Sequence, residues 1–304
     1  MTSTGALRNT ANMANMATPW FRIFPPEEIA EDPEFIGESG VKNMPDRGAP
    51  AIAYFMLMFT VNLMKKIVLE TNRNDPTYDP SAKFKPILDS LNMRSKYLYT
   101  PERNLSIDES LVGTRARSVM TQYIPSKSHK FGIKLWMLVE SISGYLIHST
   151  VYRGRRFDPV PDGELQSSMV VKSLLNVSCL FDKGYHVFCD SFFSSLSLAS
   201  ELLLNRTFMT GTLNPELRPD EYVFMRRQET LVCAYRQNKR KPVRLVSTFC
   251  KAGVSPRGKP TAIESYSKNM GGVDRNDMFT AFYNDERKTV KMWKKIMFNL
   301  FKDS

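Results

Sequence analysis

The sequence has few histidines and no closely spaced pair of cysteines. Three of its 304 residues are His and four are Cys, and Cys179, Cys189, Cys233 and Cys250 form no CxxC pair. Structural zinc sites usually take their ligands from such pairs, so this spacing argues against one. We expect four reduced thiols in a cytosolic or nuclear protein.

Long apolar segments are also lacking. The N-terminal stretch MTSTGALRNTANMANMATPW contains no apolar region of the kind that a secretory signal requires. The most apolar run, PAIAYFMLMFTVNL at residues 50–63, is short for a membrane span and continues into Lys65 and Lys66. We predict a buried helix at residues 51–72 and no membrane partner.

Excess negative charge is absent, and the positive charge is unevenly distributed. The formal net charge is +11, yet the first 104 residues hold 12 Lys and Arg against 12 Asp and Glu. The cations of the remaining residues form clusters, which indicate a polyanionic partner, most often nucleic acid. The alternative is that these clusters are solvated surfaces that bind no partner. The clustered residues are Arg153, Arg155, Arg156, Arg226, Arg227, Arg236, Lys239, Arg240, Lys241, Arg244, Arg287, Lys288, Lys291, Lys294 and Lys295.

Strand and helix patterns alternate along most of the chain and predict an α/β layered fold. The basic segment 215–260 interrupts this alternation and predicts a small β-rich insertion with strands at 229–236 and 243–250. A serine just before residue 196 is a candidate N-cap. Other strands are predicted at 105–113, 131–141, 143–154, 185–191 and 208–214, and helices at 84–97, 169–181, 196–205, 273–283 and 290–301.

Three aspartates occupy places where α/β folds carry their sites. Asp108 is predicted at the end of its strand, Asp190 ends a continuous apolar strand, and Asp274 begins a helix after Gly271-Gly272. Carboxylates converging from separate elements can hold Mg²⁺, and two such ions can drive an in-line phosphoryl transfer. Asp277 shares a helix face with Asp274 and could support it. The alternative is a glycine turn with helix-capping acids.

Six ordered motifs resemble the piggyBac transposases and their domesticated relatives. They cover residues 105 to about 300, and weaker matches lie upstream at 35–43, 55–73 and 84–101. One such motif would be weak evidence, whereas six in family order are specific. The motifs are LSIDESLVG followed by TRAR, YIPSKSHKFGIKLWML, SGYLIHSTVYRG, YHVFCDSFFSSLSLASELL, TFMTGTLN, and YSKNMGGVDRNDM followed by a helix with Trp293.

The resemblance implies an RNase H-like catalytic core of the DDE/D transposase type. It places the three catalytic and metal-ligating acids on Asp108, Asp190 and Asp274, and the supporting fourth acid on Asp277. It also implies Mg²⁺ or Mn²⁺ as cofactor, and cut-and-paste transposition of DNA at TTAA targets. Glu109, beside Asp108, should point to the opposite face of its strand and is not counted.

The predicted partner is therefore DNA, including transposon ends, and the predicted location is the nucleus. The stretch RQNKRKPVR at 236–244 is either a nuclear localisation signal or a DNA-facing part of the insertion. Whether the chain forms a homodimer is left open. The predicted DNA-binding residues are Arg115, Arg117, Lys130, Lys134, Arg153, Arg240, Lys241 and Trp293.

Departures from the family pattern predict impaired transposition. A helical segment expected between residues 73 and 74 is nearly missing, the insertion is short, and the family's C-terminal cysteine-rich domain is absent. The predicted domains are a disordered 1–34, a truncated helical dimerisation and DNA-binding remnant at 35–104, a core at 105–214 and 261–304, and the insertion at 215–260. A domesticated, non-catalytic DNA-binding protein and a fragment without stable function are the alternatives.

Overall fold

The computed structural model describes residues 19–23, 34–46, 48–50, 53, 56, 78–125, 127, 129–213, 222–236, 241–282 and 291–302. Most of the predicted disordered segment 1–34 and of the predicted helix 51–72 lies outside these ranges. Within them, no helix combines the length and apolarity needed to cross a bilayer.

Strands and helices alternate through most of the described chain. The strands are β1 (Phe21–Ile23), β2 (Gly40–Val41), β3 (Tyr99–Thr100), β4 (Asn104–Gly113), β5 (Thr121–Tyr123), β6 (Phe131–Glu140), β7 (Leu146–Val151), β8 (His186–Cys189), β9 (Phe208–Thr212), β10 (Tyr222–Arg227), β11 (Thr230–Tyr235) and β12 (Val243–Ser247). The helices are α1 (Lys85–Leu98), α2 (Gln166–Val177), α3 (Leu196–Leu204), α4 (Thr261–Asn269), α5 (Gly272–Phe282) and α6 (Met292–Lys302).

The chain divides into two compact units. Unit 1 comprises Met1–Gly37, Arg103–Ile107 and Gln166–Gly271, and unit 2 comprises Glu38–Glu102, Asp108–Leu165 and Gly272–Ser304. Strand β4 therefore contributes its first residues to unit 1 and its residues from Asp108 onward to unit 2.

The strands of unit 1 form a mixed sheet in the order β1-β10-β11-β12-β9-β8-β4. Strand β8 is parallel to both of its neighbours, β4 and β9. All four of its residues are buried, which confirms the central strand predicted from its continuous apolar sequence. Helix α3 follows, and its predicted serine cap is confirmed: Ser195 Oγ accepts a hydrogen bond from the Leu198 amide at 3.1 Å.

The strands of the basic segment 215–260 continue the same sheet of unit 1. Strand β12 pairs antiparallel with β9, bringing Leu245 opposite Thr212, and β11 and β10 follow in sequence. Helix α4 covers a separate apolar cluster that includes Phe224, Leu231 and Ile263. The sequence pattern predicted β11 and β12, whereas it missed β10, α4 and the short edge strand β1.

Unit 2 is built on an antiparallel hairpin, β6–β7, with α1 packed against β7. The Asn92 side chain pairs with the Ser149 backbone in both directions, each hydrogen bond being 2.8 Å long. Buried residues of α1, β6 and α6, among them Ile87, Leu135 and Ile296, form one core together with Phe84. Gly144 has a φ of +73° in the hairpin turn, as expected for the predicted Ser-Gly turn.

The predicted strand 105–113 is confirmed, but the predicted place of Asp108 within it is wrong. Asp108 was expected at the end of the strand, whereas β4 continues five residues beyond it to Gly113. The acids do not end the strand because Leu111 and Val112, which follow them, extend it beside the chain at His129–Gly132. Asp108 is thus a mid-strand residue of β4, one position beyond Ile107, the last residue of β4 that pairs with β8.

Candidate active site

Alternate residues of β4 present three polar side chains on one strand face. Within unit 1, Ser106 Oγ donates to the carbonyl of Met270 at 2.7 Å, just before Gly271-Gly272. Within unit 2, Ser110 Oγ donates to Asp277 Oδ1 at 2.6 Å. Asp108 lies between the two serines along the same face, and its Oδ1 accepts the Glu109 amide at 2.8 Å.

Two further acids of unit 2 lie on α5, which begins at Gly272. Asp274 is exposed in the first helical turn, and Asp277 is half-buried one turn later. Burial raises the pKa of Asp277, and the charge of Asp274 raises it further, while Ser110 and Lys127 lower it. Ser110 joins Asp277 to the strand face that carries Asp108, so unit 2 carries three of the predicted acids on β4 and α5.

Lys127 is a residue of this region that sequence reasoning missed. Its Nζ donates to the Glu109 carbonyl at 3.0 Å and lies 3.8 Å from Glu109 Oε1. Its charge lowers the pKa of both Asp277 and Lys134. The motif YIPSKSHK contains Lys127, but nothing in that motif separates it from Lys130 before the chain folds.

Asp190 belongs to unit 1, where it directly follows β8. Its Oδ1 accepts the amides of Phe192 at 2.9 Å and Phe193 at 3.4 Å, and Ser194 Oγ donates to its carbonyl at 2.7 Å. The carboxylate is therefore held in a fixed orientation by its own turn.

The predicted DNA-binding cations differ in their surroundings. Arg115, Arg117 and Lys130 are exposed, as is Lys241, whereas Arg240 lies outside the described residues. Such exposed cations are available to phosphates.

Two other predicted DNA-binding cations are engaged within unit 2. Lys134 Nζ lies 4.4 Å from the centre of the Trp136 ring, and burial lowers its pKa. Arg153 donates to Asp158 Oδ1 at 2.7 Å and to Asp79 Oδ2 at 3.3 Å. The guanidinium of Arg153 thus ties two loops of unit 2 together.

Trp293, predicted to lie near DNA, is half-buried on α6. It packs against the core of unit 2, and Lys294 Nζ lies 5.6 Å from its ring centre. Lys295 of the same helix donates to the Gly113 carbonyl at 3.2 Å, which fixes α6 at the end of β4.

A complete metal cluster is not seen in the part of the chain that the structure describes. No group of three or more His, Cys, Asp or Glu side chains there is placed to hold a metal ion. Asp277 accepts a hydrogen bond from Ser110, and Asp108 lies on the same face of β4 as Ser110. The assignment of Asp108, Asp190, Asp274 and Asp277 as a catalytic set stays a prediction.

The mixed sheet with its crossover helices places the chain among the α/β proteins. A family model described as Transposase IS4, of the piggyBac type, matches residues 59–303, more than half of the chain. The chain therefore belongs to this transposase family.

Two proteins of the piggyBac type are similar to this chain. PiggyBac transposable element-derived protein 2 of Homo sapiens is 26% identical over 248 residues, covering 71% of this chain and 41% of the relative. The piggyBac transposase in a cryo-EM synaptic complex with hairpin DNA is 27% identical, with a TM-score of 0.68, covering 74% of this chain and 50% of that one. The predicted RNase H-like fold class is thereby confirmed. The chain spans half or less of each relative's length.

Proposed function

We propose that this chain is a piggyBac-type transposase-like protein that cleaves and transfers DNA strands. Asp108, Asp190 and Asp274 carry the chemistry, and Asp277 supports them. The observation that carries the proposal is the Ser110–Asp277 hydrogen bond of 2.6 Å, which joins α5 to the strand face of Asp108 in a chain of the transposase family. The proposed substrates are transposon ends and TTAA target sites, and the proposed location is the nucleus.

The donor chemistry of this region fits a divalent metal ion. Transposases of this class usually use one, and carboxylate oxygens are the ligands that Mg²⁺ and Mn²⁺ prefer. The charge of Asp274 raises the pKa of Asp277, and a bound cation would offset that repulsion. Asp108, Asp190 and Asp274 would hold the metal. When bound, it activates a water or 3′-hydroxyl and stabilises the leaving oxygen.

The chain's own residues position the reacting strand. Ser110 fixes the Asp277 carboxylate, and the turn amides of Phe192 and Phe193 orient Asp190. Lys127 is placed to contact a phosphate beside the acids of unit 2, because its Nζ already lies against the Glu109 carbonyl. Exposed cations such as Arg115 and Arg117 hold the flanking backbone, which predicts a steep salt dependence of binding.

The test is Mg²⁺-dependent nicking of a supercoiled plasmid that carries piggyBac-type ends, at low salt. The wild-type chain should nick it, whereas Asp108→Ala and Asp190→Ala should fall by roughly a thousandfold or more, since each removes a ligand of the proposed site. Asp89→Ala is the matched control, because Asp89 is an exposed acid on α1 that pairs with Lys85. Nicking by Asp108→Ala and Asp190→Ala at the rate of the wild type and of the control would reject the assignment.

A second candidate is a transposase-derived DNA-binding protein without catalysis. The turn hydrogen bonds of Asp190 give that carboxylate a structural role independent of any metal. The curated human relative is itself described as transposable element-derived. Salt-dependent DNA binding without nicking, unchanged in Asp108→Ala, would establish this function in place of the first. Light scattering of the same preparations tests for a homodimer.

A further inference from the structure

Two aromatic side chains form an exposed pair where the β5–β6 hairpin meets its connecting loop. Tyr123 and Phe131 are register partners, and their ring centres are 4.8 Å apart with a tilt of 41°. The two residues are nonetheless 57% and 49% exposed. Apolar rings held side by side in solvent are typical of surfaces that bind a partner.

Contacts within unit 2 bring chain segments that carry cations next to this pair. Thr121 Oγ1 donates to the carbonyl of Ala116 at 2.9 Å, which brings the flanking Arg115 and Arg117 to β5. The Thr114 amide donates to the Phe131 carbonyl at 2.9 Å.

The hairpin adds a further cation to the same surface. The Ile124 amide donates to the Lys130 carbonyl at 2.8 Å, so Lys130 lies directly beside the pair. Arg115, Arg117 and Lys130 are all exposed. Together the rings and the three cations form the aromatic patch, defined as Arg115, Arg117, Tyr123, Lys130 and Phe131.

We infer that the aromatic patch binds unpaired bases of a DNA strand. Aromatic rings stack on bases of any sequence, and neighbouring Lys and Arg side chains hold the phosphates between them. A base pair inside a duplex cannot expose its face to such rings, so the patch selects strands with unpaired nucleotides. This inference rests on the proposed function and specifies the form of DNA that the proposed site takes.

The position of the patch connects it to the acids of unit 2. The loop between Tyr123 and Phe131 carries Lys127, whose Nζ donates to the carbonyl of Glu109, the residue after Asp108. If the bases of a DNA strand stack on the rings, Lys127 can contact the backbone of that strand beside β4. The patch would hold the nucleotides that flank the phosphate to be cut.

The test is fluorescence anisotropy without divalent metal, using the full chain and two labelled DNAs of equal duplex length. One is blunt, and the other carries a five-nucleotide single-stranded overhang. The wild type should bind the overhang DNA roughly tenfold or more tightly than the blunt DNA, since each stacked base adds appreciably to affinity. The double variant Tyr123→Ala, Phe131→Ala should lose that preference and keep its affinity for blunt DNA.

Two variants control for stability and for apolarity. Tyr97→Ala removes another exposed tyrosine of unit 2, 51% exposed on α1, and should keep the preference. Phe131→Leu keeps an apolar side chain without a ring and should lose part of it. Melting curves of all variants should match the wild type, because the removed side chains are exposed.

Each contrary outcome separates this inference from the proposed function. Equal binding of both DNAs by the wild type, or a preference that survives in the double variant, overturns the inference and leaves DNA cleavage untouched. Binding of neither DNA overturns both. Nicking activity is not measured in this experiment, so loss of catalysis alone does not affect its result.

Discussion

A buried polar network in unit 1 contrasts with charged side chains that lie at the surface of unit 2. In unit 1, the imidazole of His186 is buried between Phe188 and Phe249, with ring centres 4.2 and 4.4 Å away. Its Nε2 lies 2.8 Å from Thr210 Oγ1, which lies 2.7 Å from Ser247 Oγ. These groups satisfy one another as neutral partners inside the sheet.

Unit 2 instead keeps charged groups at the edges of its core. The carboxylate of Asp277 meets Ser110, Lys127 lies against Glu109, and Arg153 joins Asp158. Each of these charged side chains is partly exposed, so solvent and ligands can reach it. The neutral network around His186 is therefore closed off inside the sheet of unit 1, whereas these charged groups of unit 2 lie where solvent reaches them.

The largest effects on stability should come from matched core substitutions, one in each unit. Phe224 of unit 1 and Phe84 of unit 2 are both essentially fully buried, in separate clusters. Each Phe→Ala change should cost about 3–5 kcal/mol of unfolding free energy, because it leaves a cavity. Amide hydrogen exchange should show protection lost first in β11 for Phe224→Ala and in β6 for Phe84→Ala. Equal loss in both strands for either variant would remove the distinction between the units.

The buried histidine should make unit 1 sensitive to acid. Burial, aided by the charge of Arg103, lowers the pKa of His186 to about 3. Because the unfolded state takes up a proton near pH 6.5 and the folded state does not, the stability contribution is complete above that pH and is lost as pH falls toward 3. The loss at pH 5 should be roughly 2 kcal/mol.

His186→Gln provides the control for that pH dependence. Glutamine can still hydrogen-bond Thr210 but does not titrate, so the variant should lose less stability than the wild type between pH 7.5 and pH 5. Denaturant unfolding at the two pH values measures the difference. An identical pH dependence in both proteins would show that His186 is not the group responsible.

Two serines of one strand allow a finer comparison between a neutral and a charged acceptor. Ser110→Ala removes a hydrogen bond to the Asp277 carboxylate in unit 2, and Ser106→Ala removes one to the Met270 carbonyl in unit 1. The first should cost about 1.5–2 kcal/mol and the second about 1 kcal/mol, since bonds to charged groups are stronger. Thermal melts in matched buffers measure both. A larger cost for Ser106→Ala would reverse the comparison.

The smallest effects should come from the partly exposed ion pairs. Arg153→Gln breaks contacts with both Asp158 and Asp79 in unit 2, whereas Lys172→Gln breaks the pair with Glu201 in unit 1. We expect a loss of about 1 kcal/mol for the first and under about 0.5 kcal/mol for the second, after allowing for solvent screening. Melts at low and high salt check this, because the Arg153 effect should shrink as salt rises. Equal, salt-independent losses would contradict it.

Much of the secondary structure could be predicted from local sequence. The apolar run of β8 predicted a central strand, Ser195 predicted the start of α3, and the motif order predicted the family. Patterns failed where elements are short or lie at an edge. Strand β5 and helix α4 were missed because they are too short to show a clear hydrophobic period in the sequence. Their stability comes mostly from the neighbouring elements against which they pair or pack.

The sequence by itself determined which residues are chemically able to act: the aspartates, the clustered cations and the apolar runs that must be buried. Only the tertiary structure decided what each does. It placed Ser110 against Asp277 across 167 positions, turned Arg153 inward to two carboxylates, and left Tyr123 and Phe131 side by side in solvent. The physical reason is that charge and apolarity belong to a residue, whereas contact and exposure depend on which distant segments of the chain come together when it folds.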